Sequence, residues 1–318
     1  MQIPLRTICP QGDLSWRQKG KRTAIPPGNL AYFGRLFYNN VDNVKTALPC
    51  LPYGGQRAGI LGVLRKGGVR MEQEKHPVLG ILGGLGPAAS CYLYQMLIDH
   101  TPAQRDQDHI DLVLSSRAST PDRTAFITGQ SSEDPFTIME QDGRSLVRYG
   151  ATVLAIPCNT AHYFYDRLAA ALPVPVLNMP RLTVKDAAAA GCRRLGILAT
   201  DGTIQAQTYQ IACQEAGMDW AVPAPKNQQG IMSIIYDQIK KGHRADMAVF
   251  NAAAQDLAEQ GCDFAVLGCT ELSLVKRDEH LGPFFIDSTE ALCRYALLAC
   301  GVTPIGLDPP QKITPASF

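Results

Sequence analysis

What the chain lacks narrows it before any motif is read. No run of about 18 apolar residues occurs, so no segment reads as a membrane-spanning helix. The ten cysteines (Cys9, Cys50, Cys91, Cys158, Cys192, Cys213, Cys262, Cys269, Cys293 and Cys300) contain no CxxC pair, so ligand spacing for zinc is missing and no metal is expected. A chain of 318 residues is no small secreted scaffold. Scattered thiols in it predict a reducing cytoplasm, where most act as small hydrophobes. There is no GxGxxG and no P-loop, which removes the fingerprints of dinucleotide and nucleoside-triphosphate sites.

Charge of one sign is also scarce locally. Residues 1–70 hold no glutamate and only two acids, Asp13 and Asp42, against eleven Lys and Arg. The rest of the chain therefore carries 19 basic and 27 acidic residues, a net −8 hidden under a whole-chain charge of +1. An acidic body excludes nucleic acid as the main partner. Three readings fit residues 1–70: an Arg-rich targeting presequence, a basic disordered tail, or a start assigned too early. The first is weakened by scarce serine and the lack of an amphipathic helix. The third is adopted here as the expectation, because Met71-Glu-Gln-Glu-Lys-His-Pro reads as a start just ahead of the first strand.

What is present is organised by an echo. Ala155-Ile156-Pro157-Cys158-Asn159-Thr160 and Leu267-Gly268-Cys269-Thr270-Glu271 each follow an apolar run of strand length, and their cysteines lie 111 residues apart. Leu79-Gly80-Ile81-Leu82 recurs as Leu195-Gly196-Ile197-Leu198, 116 residues later. Gly150 and Gly261 each stand eight residues ahead of their cysteine. Buried parallel strands read as such continuous apolar runs, and side chains just past their carboxyl ends face the ligand crevice. The pattern predicts two pseudo-symmetric α/β/α lobes with parallel sheets and a site in the cleft between them. The first lobe is expected over 77–181 plus 284–300, the second over 182–283, and a loose proline-rich tail over 301–318; within the lobes a short strand is expected over 174–178 and a helix over 204–216.

Several stretches could serve a ligand. Gly83-Gly84-Leu85-Gly86-Pro87 follows the first strand and leads into a helix, so Gly84 could let the backbone approach a carboxylate. A tight turn with no ligand is the alternative. Arg123, in Pro121-Asp122-Arg123-Thr124, could clamp a carboxylate or simply pair with Asp122. Cys158 opens a helix expected over 159–172, a position that stabilises a thiolate. His162 could orient that thiol or merely pack. Glu271 could tune Cys269 or pair with a cation. Two thiols on opposite faces of one α-carbon form an acid–base pair that inverts a stereocentre. The weakly acidic α-hydrogen then demands donors around the carboxylate, for which Asn159, Thr160 and Thr270 are the candidates.

Together, GGLGP at 83–87, PDRT at 121–124, PCNTAH at 157–162 and GCTEL at 268–272 resemble the aspartate/glutamate racemases that work without pyridoxal phosphate. The resemblance covers about Val78 to Ala299. It implies an isomerase with no cofactor, an amino-acid substrate and a homodimer. It makes Cys158 and Cys269 the two bases, gives Asn159, Thr160 and Thr270 to the α-carboxylate, and gives Arg123 to the substrate's carboxylates. Lys240, or Lys241 if the register slips by one, is similar to a substrate-binding lysine. Glu271 stands where cell-wall glutamate racemases resemble GCTH, which favours aspartate. The rivals are a racemase of broader range, a related decarboxylase or maleate isomerase, a non-catalytic binder of acidic amino acids, and a Cys158–Cys269 redox pair. The redox pair needs its sulfur atoms about 2 Å apart.

Overall fold

The apolar runs form strands, and every strand pair is parallel. The computed structural model describes residues 76–311, so the expectations for residues 1–70 and for the last residues, 312–318, lie outside the described residues. The first sheet holds β1 (Val78–Gly83), β2 (Asp111–Ser116) and β3 (Val153–Ala155) in the order β2-β1-β3. The second holds β4 (Arg194–Ala199), β5 (Asp219–Ala221), β6 (Phe264–Gly268) and β7 (Phe285–Asp287) in the order β5-β4-β6-β7. In both, the strand that ends in the glycine or threonine turn is flanked by the strand that delivers the cysteine.

Each sheet is covered on both faces, and strand alternation assigns the faces. Leu79 and Ile81 pack on α1 (Pro87–Asp99), while Leu82 packs with α3 (Phe136–Arg148) and α4 (Tyr165–Ala171). One repeat later, Leu195 and Ile197 pack on α5 (Met179–Ala189) and α7 (Thr208–Glu215). Leu198 packs with α8 (Pro225–Ser233) and α9 (Met247–Glu259). Each fully buried leucine or isoleucine contributes about 1.5–3 kcal/mol, so these cores fix the register in which the cysteines emerge. Gly80 and Gly196 face the second layer, where an added Cβ would lie 2.3 Å from Leu154 Cδ2 and 2.8 Å from Leu257 Cδ1 respectively.

The structure corrects five local expectations. The strand expected over 174–178 is a single bridge, Leu154 to Val176, because Pro175 has no N–H to continue a ladder. The helix expected over 204–216 breaks at Gln207, whose φ is 56°, into α6 (Asp201–Gln205) and α7. The helix opened by Cys158 begins as a 3₁₀ turn, Thr160–Phe164, before α4. The segment 284–300, assigned to the first lobe, is divided: β7 pairs with β6 in the second sheet, and only α11 (Ser288–Ala299) packs beside β1. Residues 301–311 are not a loose tail. Leu307 is buried in the first lobe's core, the Arg294 guanidinium donates to the Leu307 and Asp308 carbonyls, and the Ile305 N–H donates to the His100 carbonyl.

Candidate active site

The two strand ends converge. Cys158 follows β3 through Ile156 and Pro157, and Cys269 follows β6 directly as the N-cap of α10 (Thr270–Glu279). Both thiols are free, both residues are 6% exposed, and both line one narrow cavity. Every other expected site residue except Gly84 lines it too: Asn159, Thr160, Thr270, Arg123, Lys240 and Glu271. Tyr236, Asp122, Thr124, Thr200 and Leu85 complete the wall.

Gly84 serves the turn, not the cavity. Its φ is +84°, and a Cβ there would lie 2.3 Å from the Arg117 amide nitrogen. Its N–H donates to Ser90 Oγ at 2.9 Å. The glycine is needed for left-handed backbone and close chain approach, and it does not line the cavity. A second close approach occurs at Gly202 in the equivalent turn of the second lobe, where a Cβ would lie 2.8 Å from the Thr124 Cα. There α6 meets the short helix α2 (Arg123–Ile127) across the cleft.

The Cys158 side is cationic. Arg123 is buried, and its guanidinium donates to the carbonyls of Thr120 (3.2 Å), Pro121 (3.0 Å) and Leu85 (2.5 Å). Its Nε has no partner. Burial works against its charge, but the neighbouring Cys158 sulfur and Asp122 outweigh that and hold Arg123 above its ordinary pKa. His162 does not reach the thiol. Its Nε2 accepts from the Met179 N–H at 3.1 Å, so Nδ1 carries the proton and donates to the Cys158 carbonyl at 2.9 Å. Burial lowers its pKa, which keeps the ring neutral.

Asn159 and Thr160 are held by side chains distant in sequence. The Tyr209 hydroxyl donates to Asn159 Oδ1 at 2.6 Å, and Asn159 Nδ2 donates to Ser288 Oγ at 2.9 Å. Ser288 in turn donates to the Leu267 carbonyl. The amide keeps a second N–H beyond these bonds. Thr160 Oγ1 closes a triangle of hydroxyls with Thr200 and Thr203, at 2.9, 2.9 and 3.0 Å.

The Cys269 side is built around a carboxylate. Cys269 Sγ donates to Glu271 Oε2 at 2.9 Å, and Lys240 Nζ pairs with Glu271 Oε1 at 2.8 Å. Thr270 Oγ1 reaches the same carboxylate at 3.4 Å. Burial disfavours the ionised Glu271, yet the Lys240 charge and the bonds from Cys269 and Lys240 hold its pKa below the usual range. For Lys240, burial opposes the charge and Glu271 restores it, with a net rise. Burial first, and then the Glu271 charge, push the Cys269 thiol well above its ordinary value.

The lysine register follows from backbone geometry. After α8 the chain makes a π turn, Ile234–Gln238, then a 3₁₀ turn, Ile239–Lys241. This wide turn brings Tyr236 and Lys240 to the cavity, whereas Lys241 pairs with Asp237. Tyr236 lies four residues before Lys240, so helical spacing alone could have found it. Tyr209 and Ser288, which hold Asn159, carry no local signal.

Known proteins share this chain's sequence pattern and fold. The sequence profile of Asp/Glu/hydantoin racemases fits residues 82–296. Broad-specificity amino-acid racemase RacX of Bacillus subtilis is 25% identical over 222 residues, covering 68% of this chain and 95% of that protein. A glutamate racemase of Pseudomonas paraeruginosa is 32% identical over 145 residues, 43% of this chain and 52% of that one. The aspartate racemase of Picrophilus torridus superposes with a TM-score of 0.62 at 24% identity, over 72% of this chain and 96% of its own. With a profile match that spans both lobes and both cysteine motifs, the chain belongs to the Asp/Glu/hydantoin racemase family.

Proposed function

We propose that the chain racemises aspartate without a cofactor, with Cys158 and Cys269 as the two bases. The observation that carries this reading is the pair of free thiols brought from equivalent strand ends to one buried cavity with Arg123 and Lys240. One thiolate removes the α-proton while the opposite thiol delivers a proton to the other face, so the C–H bond broken on one side is replaced on the other. The carbanion needs its charge drawn into the carboxylate as an enediolate, by donors that are already oriented. Arg123, the second N–H of Asn159, Thr160 and the start of α10 around Thr270 supply them. Lys240 takes the side-chain carboxylate. A homodimer in the cytoplasm completes the reading, from the family resemblance and the cysteine usage. Equilibrium sedimentation measures the first part.

One observation favours a broader substrate range. Lys240 is already paired with Glu271, so a side-chain carboxylate has to compete for it. The similarity to RacX, named for broad specificity, points the same way. The test uses the full chain with L-aspartate and a panel of other L-amino acids, following optical rotation without added cofactor. Decay with aspartate ahead of the rest supports the proposal. Decay with neutral amino acids ahead of aspartate replaces the substrate and keeps the mechanism. Binding of aspartate without decay of any substrate leaves a binding protein.

A further inference from the structure

The two thiols are equally buried but unequally surrounded. Cys158 has the Arg123 guanidinium beside it, whereas Cys269 Sγ lies 2.9 Å from Glu271 Oε2. Glu271 is 6% exposed, and its other oxygen is held by Lys240 at 2.8 Å. A carboxylate paired in this way is an acceptor only. The contact with sulfur is then attractive only as S–H to O⁻, since a thiolate there would set two negative charges together away from water. The glycine turn leaves room for this carboxylate: a Cβ on Gly86 would lie 3.0 Å from Glu271 Oε1.

We infer that Glu271 is a positioning residue that holds Cys269 as the protonated thiol at rest, so that the enzyme waits with Cys158 as base and Cys269 as acid. This assignment rests on the two-base reading above. The charged and titratable groups that face Cys269 are Glu271 on its own helix, Lys240 and Tyr236 from the segment after α8, and Cys158, Asp122 and Arg123 from the first lobe. Of these, Glu271 makes the direct contact with the sulfur, and the rise in the Cys269 thiol noted above has the same sign.

The consequence is directional. The enantiomer whose α-hydrogen faces Cys158 meets an enzyme already protonated for it. Its α-proton passes to Cys158, the proton of Cys269 passes to the opposite face of the carbanion, and Cys269 is left as a thiolate beside Glu271. That product form relaxes by losing the proton of Cys158 to solvent and regaining one at Cys269. The other enantiomer requires this disfavoured form from the outset. Because the free enantiomers have equal energy in water, kcat/KM is the same in both directions, and the asymmetry appears as kcat and KM displaced together.

The test is alkylation of the full chain with iodoacetamide from pH 6 to 10, with each thiol followed by peptide mass spectrometry, alongside α-proton exchange of aspartate in D₂O. Both residues are 6% exposed, and alkylation reads the thiolate fraction of each. Cys269 should label at least about tenfold more slowly than Cys158 at pH 8, with its own midpoint displaced to higher pH, a tenfold rate being one pH step in thiolate fraction. Glu271→Gln should raise the Cys269 rate by about tenfold or more, since it removes the acceptor charge and frees Lys240 to favour the thiolate. Equal rates and one shared midpoint in the wild type, with exchange intact, overturn the assignment alone, and this comparison needs no variant to fold. A Cys269 profile unchanged in Glu271→Gln overturns it as well. Absence of exchange in the wild type overturns the two-base reading and the catalytic use of the asymmetry with it.

Discussion

The two lobes repeat one plan and diverge where the plan ends. Gly80 and Gly196 occupy equivalent strand positions, β3 and β6 occupy equivalent sheet positions, and Cys158 and Cys269 emerge from equivalent ends. Beyond the cysteines the likeness stops. One lobe follows its thiol with Asn159 and a short 3₁₀ turn and sets Arg123 beside it. The other follows its thiol with Thr270 and Glu271 at the head of α10 and sets Lys240 on the carboxylate. The cores thus preserve position, and the residues one or two places past the strand set the charge. A duplicated scaffold can hold two thiols symmetrically about a carbon while giving each a different electrostatic partner.

The largest expected effect comes from breaking the symmetry of position. Cys158→Ala or Cys269→Ala should each lower racemisation by about 10²–10⁴-fold, the range for loss of a positioned acid or base, as polarimetry will read. A variant that kept wild-type turnover would remove its cysteine from the mechanism.

Next in size is the cation beside Cys158. Arg123→Lys gives up a planar fork that serves three backbone carbonyls for a single ammonium, so kcat/KM should drop by about 10–10²-fold. Carbonyls left without donors should cost about 1–3 kcal/mol of stability in urea unfolding. Wild-type kcat/KM in Arg123→Lys would show that charge alone suffices.

The cores offer a finer comparison. Gly80→Ala would place its Cβ 2.3 Å from Leu154 Cδ2 and 2.8 Å from Ala151 Cβ, whereas Gly196→Ala meets Leu257 Cδ1 at 2.8 Å. Both should destabilise by about 1–3 kcal/mol through overpacking, with Gly80→Ala the worse. The order of the two urea midpoints checks this.

The smallest effect is that of pH on His162. Burial lowers its pKa in the folded protein, so the unfolded chain binds the extra proton. Its contribution to stability is complete above the unfolded value of about 6.5 and is lost as pH falls below it, by up to about 1.4 kcal/mol per pH unit. Urea midpoints for the wild type and His162→Gln at pH 7.5 and 5.5 should diverge, the wild type losing more on acidification.

Much of this was legible in the residues. The LGIL repeat and the paired strand-then-cysteine runs foretold two parallel sheets, and the same motifs named the residues that line the cavity. Local pattern failed where a tertiary partner decides. Pro175 reduced an expected strand to a bridge, Gln207 broke an expected helix, and β7 joined the second sheet beside β6. At the site, Gly84 looked like a ligand contact because a glycine turn before a helix serves either purpose; only the position of Arg117 separates them. The clamp of Tyr209 and Ser288 on Asn159 spans 50 and 129 residues of sequence, beyond any local signal.

The most direct test of the two-sided chemistry is the isotopic content of both enantiomers early in the reaction of L-aspartate in D₂O. Two bases on opposite faces predict that D-aspartate forms with deuterium at its α-carbon while the remaining L-aspartate keeps its protium. Early deuterium in the recovered L-aspartate at the rate of D-aspartate formation would mean one base serving both faces, and would contradict the assignment of Cys158 and Cys269 to opposite sides.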